Sequence, residues 1–554
     1  MSTKFIAIFF LSPFISYNFQ TIVPNNFVKL SNGEIEINIE NNGNIILDSH
    51  SNSVDTTLYD NLNLYTASLF ISGKANDKLK LSNGFGLIRG SYQFKPGKIS
   101  DSLTKQNLFL VNNDENPFNN SWIEWKKAVE LGAEFYDGNL NGVYDPIDRN
   151  KNNIWDENED RPPNLGNQFS WCVYNDLTDR TENYIQSDPL GIEIEQSSFI
   201  NKKLIFSDLD RLLFVKYRFR NTGVISSQLD SCYLTIASDF DAGIEYNKDL
   251  MGCDTLRKNS FIYQAYWDYI KKKEQAVFAF TKILSPPFFN KTNSSESNII
   301  VNQGYLGLDT IVNSQFVNAS TIYDRRSGFW PLDEGLHELR NVQIIGGYQQ
   351  FTILDPCITD TSLYNIEGLS CSMVNPKFMF SGNPVTKYGW TSNWTNDHAV
   401  YISYGPFQLE RDKPIDIWVC YSSVKGDSLE DAYNKMLEID NYAQTFYNYN
   451  FFIEPPTPSI NNTDLNDYDF YLWNNYPNPF NNSTKIRYNL DRTEHTTLKV
   501  FNVLGEEIKT LVSEIQDKGV YEVDFNAENL PSGIYFYRLQ QNAFFWTRKM
   551  IYLR

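Results

Sequence analysis

Between Tyr476 and Arg554 the apolar side chains recur at every second position, in runs too short to be helices. Ile486, Tyr488 and Leu490 share one side of the first run. Tyr521, Val523 and Phe525 do so in a later one, and Tyr535, Tyr537 and Leu539 in another. Successive side chains of a strand point to opposite faces, so each run buries one face and wets the other. Gly505, Gly519 and Pro531-Ser532-Gly533 fall between the runs, where turns are needed. Strands this short, separated by turn signals, predict a small all-β sandwich.

A stiff, polar stretch precedes this module. Glu454-Pro455-Pro456-Thr457-Pro458-Ser459 and the Asn- and Asp-rich residues after it offer little to pack, so a linker is expected over 455–470 and a separate domain over 471–554. The segment from 22 to 454 is then a β-rich body. Glu34–Ile39, Ala67–Ile71, Phe85–Ile88, Phe169–Tyr174, Gly191–Glu195, Leu212–Asn221 and Cys232–Ser238 all read as strands within it. Two helices interrupt the pattern. Trp122, Trp125, Ala128 and Val129 fall at helical spacing over Ser121–Leu131, with Ser121 and Glu124 as a capping box. From Asp427 to Asn448, Leu429, Ala432, Met436, Ile439, Ala443 and Phe446 form one apolar stripe, which must be buried against a sheet. The fold class expected is mainly β: a multi-domain β-sandwich body with a few helices, plus an Ig-like β-sandwich at the end of the chain.

The terminal module resembles the type A C-terminal sorting domain of the type IX secretion system. The matching residues are Tyr476-Pro477-Asn478-Pro479-Phe480, Lys499-Val500-Phe501-Asn502-Val503-Leu504-Gly505, Leu530-Pro531-Ser532-Gly533-Ile534-Tyr535 and the Arg548-Lys549 end. The resemblance implies export through the periplasm to the cell surface or the medium. It also implies partners, the outer-membrane type IX translocon and a sortase-like peptidase, and assigns Pro531, Gly533, Tyr535 and Lys549 to the signal. Parts of the body, among them Gln168–Asp176, Asp239–Gly243, Gly252–Thr255, Ser381–Trp390 and Ser403–Phe407, resemble large exported proteins carrying the same sorting domain. That group lends architecture and no mechanism.

The other end of the chain agrees with export. Lys4 precedes the apolar run Phe5–Leu11, too short to span a bilayer and suited to a signal peptide over residues 1–16. No other run reaches membrane length, so no transmembrane segment is expected in the mature chain. The net charge of −19 and the absence of a basic run exclude nucleic acid as a partner. Six cysteines in an exported chain permit three disulfides, of which Cys357 with Cys371 closes the shortest plausible loop. Cys172 and Cys420 lie in strand-like runs and read as buried thiols.

A metal-type pattern occupies residues 137–159. Asp137, Asn139, Asn141, Asp145 and Asp148 stand at positions 1, 3, 5, 9 and 12 of a loop with Gly142 at position 6. Counting again from Asp148 gives Asn150, Asn152, Asp156 and Glu159, with Asn153 where the glycine was. Ligands at alternate positions of a tight loop converge hard oxygens on one point, which is what calcium needs, with Val143 and Ile154 adding backbone carbonyls. The shared register resembles calcium loops of dockerins and thrombospondin type 3 repeats. The competing reading is an Asx-rich surface loop held by its own turns. A second acidic group, Asp239, Asp241, Glu245, Asp249 and Asp254, could bind a cation or simply decorate strand ends, and Glu193 with Glu195 reads as a solvated strand face.

Catalytic signatures are missing. The sequence has no HExxH, GxSxG, Walker A or GxGxxG after a strand, and its four histidines, His50, His337, His398 and His495, are far apart. Trp390 and Trp394 read as core before they read as a sugar platform. The expectation is an exported structural, adhesive or ligand-binding module, stabilised by calcium and able to meet a surface glycan. The alternative is a secreted polysaccharide-active hydrolase using paired carboxylates.

Overall fold

The computed structural model describes residues 27–552 apart from 47–62, 85–92, 102–106, 157, 179, 181–186, 202–207, 243–247, 256, 269–272, 285–297, 302–309, 314–316, 325–334, 346–347, 350–351, 354–355, 358–363, 449–450, 452–470, 473–474, 476–479, 491–492, 503–506, 529 and 542–543. The expected signal peptide, the linker, the strand at 85–88, Glu245 and His50 lie outside the described residues. The chain divides into two compact units, a body drawn from Met1–Pro287 and Ser295–Ile453 and a terminal unit drawn from Glu454–Arg554.

In the body, two large sheets stack face to face. The first runs Phe27–Ser31, Glu36–Glu40, Ile45–Ile46, Leu64–Ala75, Gln228–Phe240, His398–Glu410, Val317–Asp324, with Lys78–Asn83 paired to Leu64–Ala75. The second runs Leu250–Asp254, Asn259–Asp268, Lys273–Ile283, Ile415–Gly426, Leu212–Asn221, Ile192–Ile200, Gln168–Asn175, Lys95–Pro96. Alternation decides what fills the space between them. Ile37, Leu69, Ile71, Leu234, Ile236, Val400 and Ile402 face inward from the first sheet and meet Ile194, Val215, Tyr217, Ile262, Val277 and Val419 from the second.

The second sheet is buried on its other face as well, which is why Ile192–Ile200 has no exposed residue. Phe169, Trp171, Phe214, Phe261, Phe278 and Trp418 form that outer face, beneath the helices Asn120–Glu130 and Leu429–Asn448. The stripe expected on the second helix lies against this sheet, with Ala432, Met436 and Ala443 fully buried. A third helix, Gly335–Ile345, covers Phe70, Ala237 and Tyr401 on the outside of the first sheet. The body is therefore four layers deep, helix on sheet on sheet on helices.

The first helix starts differently from the expectation. Asn119 caps the first helix, its Oδ1 accepting from Ser121 N at 2.7 Å and Trp122 N at 3.2 Å. Ser121 lies inside the first turn and spends its hydroxyl on the same Asn119 oxygen, so it cannot be the cap. At the second helix Ser428 Oγ accepts from Asp431 N, and Asp431 returns a bond to Asp427 N. Cys357 and Cys371 form a disulfide; Cys172, Cys232, Cys253 and Cys420 are buried thiols. Trp390 is core, 1% exposed, with its ring against Phe380 and Tyr364.

The terminal unit is a two-sheet sandwich. One sheet holds Tyr471–Leu472, Ser483–Leu490 and Gly519–Asn526; the other runs Glu507–Gln516, Glu494–Phe501, Gly533–Gln541, Phe544–Tyr552. Ile486, Tyr488 and Leu490, read as one face in the sequence, are buried, as are Leu498, Val500, Tyr537, Leu539 and Tyr552. No helix among the described residues is long and apolar enough to cross a membrane.

Candidate functional site

The Asx-rich segment leaves the body at a neck. Tyr136 and Arg161 pair as an antiparallel bridge, N to O at 3.0 and 3.2 Å, and the Arg161 guanidinium stacks 3.9 Å from the Trp155 ring centroid. Between these points the chain makes two loops with the same internal hydrogen bonds. Asp137 accepts from the backbone N–H of Asn141 and Gly142, and Asp148 from those of Asn152 and Asn153. Asn139 accepts from Asn141 N as Asn150 does from Asn152 N; Asn141 accepts from Val143 N as Asn152 does from Ile154 N. The backbone repeats too: Leu140 and Lys151 have φ of 58° and 61°, Gly142 and Asn153 of 74° and 60°. Asn153 takes up the left-handed conformation that the missing glycine would have supplied.

Each loop is closed by a buried carboxylate from the returning segment. Asp160 accepts from Gly138 N, Asn139 Nδ2 and Asp145 N, all at 2.9–3.1 Å. Glu159 accepts from Arg149 N at 2.5 Å and Asp156 N at 3.0 Å. The two therefore hold equivalent places, and Asp160, which no loop register picks out, serves the first loop. The hydrogen bonds of Asp148 lie in the second loop. Burial pushes the Asp160 carboxyl up, and the nearby Asp145 and Asp137 carboxylates add to that against its backbone donors. Val143 and Ile154 are exposed, as are Asn141, Asn150 and Asn152; Tyr144 is buried and anchors the first loop through its hydroxyl to Trp122 O.

Carboxylates converge at a second place. Asp239 and Asp241, at the end of strand Gln228–Phe240, meet Asp397 with ligand-type oxygens within 4.8 Å of one another. Asp249 lies beside them, fully buried, accepting from Ala242 N and Gln264 Nε2. Burial, with Asp241 and Asp397 adding, pushes its carboxyl up to about 9. Asp254 is held by Arg257 at 2.7 Å. Asp397 was out of reach of a sequence reading because it follows Asp239 at long range and comes from another strand's approach. Glu193 and Glu195 are buried rather than solvated, 9% and 8% exposed. Glu193 accepts from Ile99 N and Glu195 lies 3.5 Å from Arg220, on a face where Glu134 also reaches Arg218.

In the terminal unit Pro531 is exposed and Gly533 opens the strand Gly533–Gln541. Tyr535 is 4% exposed and donates its hydroxyl to Pro531 O at 2.8 Å, tying the turn to the strand. Lys549 pairs with Phe536 in the register of the last strand. The Arg548 Nε donates to Leu472 O at 3.0 Å, and the Tyr552 ring packs tilted against Phe480 at 5.2 Å, so the final strand is bound to the first segment of the domain.

Residues 474–553 match the secretion system C-terminal sorting domain family. The terminal unit is thus a type IX sorting domain, a tail that implies handling by the type IX translocon and export to the surface or medium. No curated protein matches the chain. Among solved structures, a polysaccharide lyase aligns with TM-score 0.21 and 7% identity over 65% of this chain and 34% of the lyase. The chain therefore spans about a third of that protein's length, and the likeness carries no argument.

Proposed function

We propose that the body is a structural, adhesive or ligand-binding β module, stabilised by calcium and delivered outside the cell by its sorting domain. The duplicated loop carries this reading. Its donor set is all oxygen, from aspartate, glutamate, asparagine and backbone carbonyls, which suits a hard cation. Asp137, Asn139, Asn141, Val143, Asp145 and Asp160 would hold one ion, and Asp148, Asn150, Asn152, Ile154, Asp156 and Glu159 the other. The ions would neutralise crowded carboxylates and lock the excursion to the helix beneath it. Titration calorimetry on the whole chain tests this. Two calcium ions should bind, with Asp137→Ala removing one and Asp148→Ala the other; no uptake by the unaltered chain would contradict the reading. The outer-membrane translocon, a sortase-like peptidase that removes the sorting domain, and a surface glycan are the partners this function requires.

The rival reading, a secreted polysaccharide-active hydrolase, draws on the aspartate cluster. A protonated Asp249 beside Asp241 and Asp397 has the form of an acid next to bases. Asp239 and Asp397 are 1% and 6% exposed, which leaves little room for a substrate and ranks this reading second. Hydrolysis of a polysaccharide panel, abolished by Asp241→Asn, would reverse the order.

A further inference from the structure

In the four-stranded sheet of the terminal unit, Glu507–Gln516 is an edge strand. It pairs with Glu494–Phe501 and, among the described residues, with no strand on its other side. The backbone N–H and C=O groups of such an edge can take up a further strand. The edge is ten residues long and exposed from Glu507 to Thr510 and from Ser513 to Ile515. Ile515 is 73% exposed and Ile508 37%.

Two bulges decide what fits it. The register skips Leu511, since Val512 is opposite Leu498 and Thr510 opposite Lys499. It skips Ile508 in the same way, between Lys509 opposite Val500 and Glu507 opposite Phe501. Residues five apart in a regular strand point to opposite faces, and an extra residue between them brings them to the same one. Lys509 and Glu514 therefore share a side. They lie opposite Val500 and Thr496, whose buried side chains mark it as the core side. Thr510 and Ser513, opposite Lys499 and Thr497, share the outer side.

A two-fold axis at Val512 then lays the strand antiparallel on a copy of itself with facing residues on a common side. Lys509 of each copy meets Glu514 of the other, and Thr510 meets Ser513. Ile515 reaches the end that holds Ile508. Opposite charges facing one another across a ladder stabilise it, and like charges destabilise it. An axis at Thr510 would set Lys509 against Val512, and one at Ser513 would set it against Gln516. An axis at Lys509 or Glu514 would bring like charges together. Bulges and lysines keep many edges from pairing; here they leave one favourable register, and the strand that fits it is this strand. We infer that two copies of the chain associate through this edge, joining four strands from each into one continuous sheet of eight.

The test is sedimentation of the full chain over a dilution series from submillimolar to micromolar concentration. A dimer that dissociates on dilution is expected. Lys509→Glu and Glu514→Lys should each weaken it tenfold or more, because each sets like charges opposite one another. Lys509→Glu combined with Glu514→Lys should restore it to within threefold of the unaltered chain. Lys485→Ala, on the other sheet, should leave it unchanged. A chain that is monomeric throughout overturns the inference. So does a dimer that neither single reversal weakens, which would use another surface, and so does a double reversal that restores nothing, which would exclude this register. A melting curve for each variant separates lost association from lost fold.

Discussion

Glu159 and Asp160 are neighbours in the chain and close different loops: Glu159 accepts from Arg149 N and Asp156 N, Asp160 from Gly138 N and Asp145 N. Both are at most 1% exposed. Two adjacent residues thus fix both halves of a duplicated excursion. Asp160→Ala should destabilise the body by roughly 1–2 kcal/mol, because three part-buried N–H donors would lose their acceptor. Asp160→Asn should lose less. Urea unfolding in chelator reads this without any contribution from bound metal; an Asp160→Ala loss below about 0.5 kcal/mol would remove the closing role.

A second buried pair joins the long helix to its sheet. Lys282 Nζ lies 2.7 Å from Asp440, both side chains at most 3% exposed, and Asn259 Nδ2 donates to the same carboxylate. Lys282→Met leaves that buried charge with only Arg257, 3.9 Å away, as its cation, at a cost of about 3 kcal/mol. Adding Asp440→Leu should recover part of the loss, which denaturant midpoints of the single and double variants would show. Equal losses in the two would mean that the pair contributes little.

His398 gives the body an acid-sensitive component. Burial pushes the imidazole down to about 4, opposed in part by its Nε2–H bond to Trp394 O. Its unfolded pKa is near 6.5, so the unfolded state binds the extra proton between these values. This stability is fully present above about pH 6.5 and is lost as pH falls towards 4, on the order of 3 kcal/mol in all. His398→Gln should flatten the curve of stability against pH between 6.5 and 4. An unchanged slope in the variant would exclude His398 as its source.

Local pattern made much of this fold legible. The alternation over Leu212–Asn221 is a strand of those bounds, and the stripe from Ala432 to Phe446 lies on the sheet it had to cover. The matched loops were visible because their oxygens recur at fixed intervals. What stayed hidden depends on distance in sequence. Asp160 carries no register with Asp137, and Asp397 joins Asp239 only after the sheet is formed. Glu193 and Glu195 looked wet because alternation gives the face and not what covers it. The covering comes from Ile99, whose N–H binds Glu193, and from the segment after the first helix, which brings Glu134 onto Lys216 and Arg218.

The terminal sandwich should act as an address and the body as its passenger. The direct measurement is the location of a chain ending at Ile453, expressed in a bacterium with a working type IX system. A folded body should be retained in the periplasm, while the full chain reaches the surface or medium. A truncated body found outside the cell at the level of the full chain would contradict it.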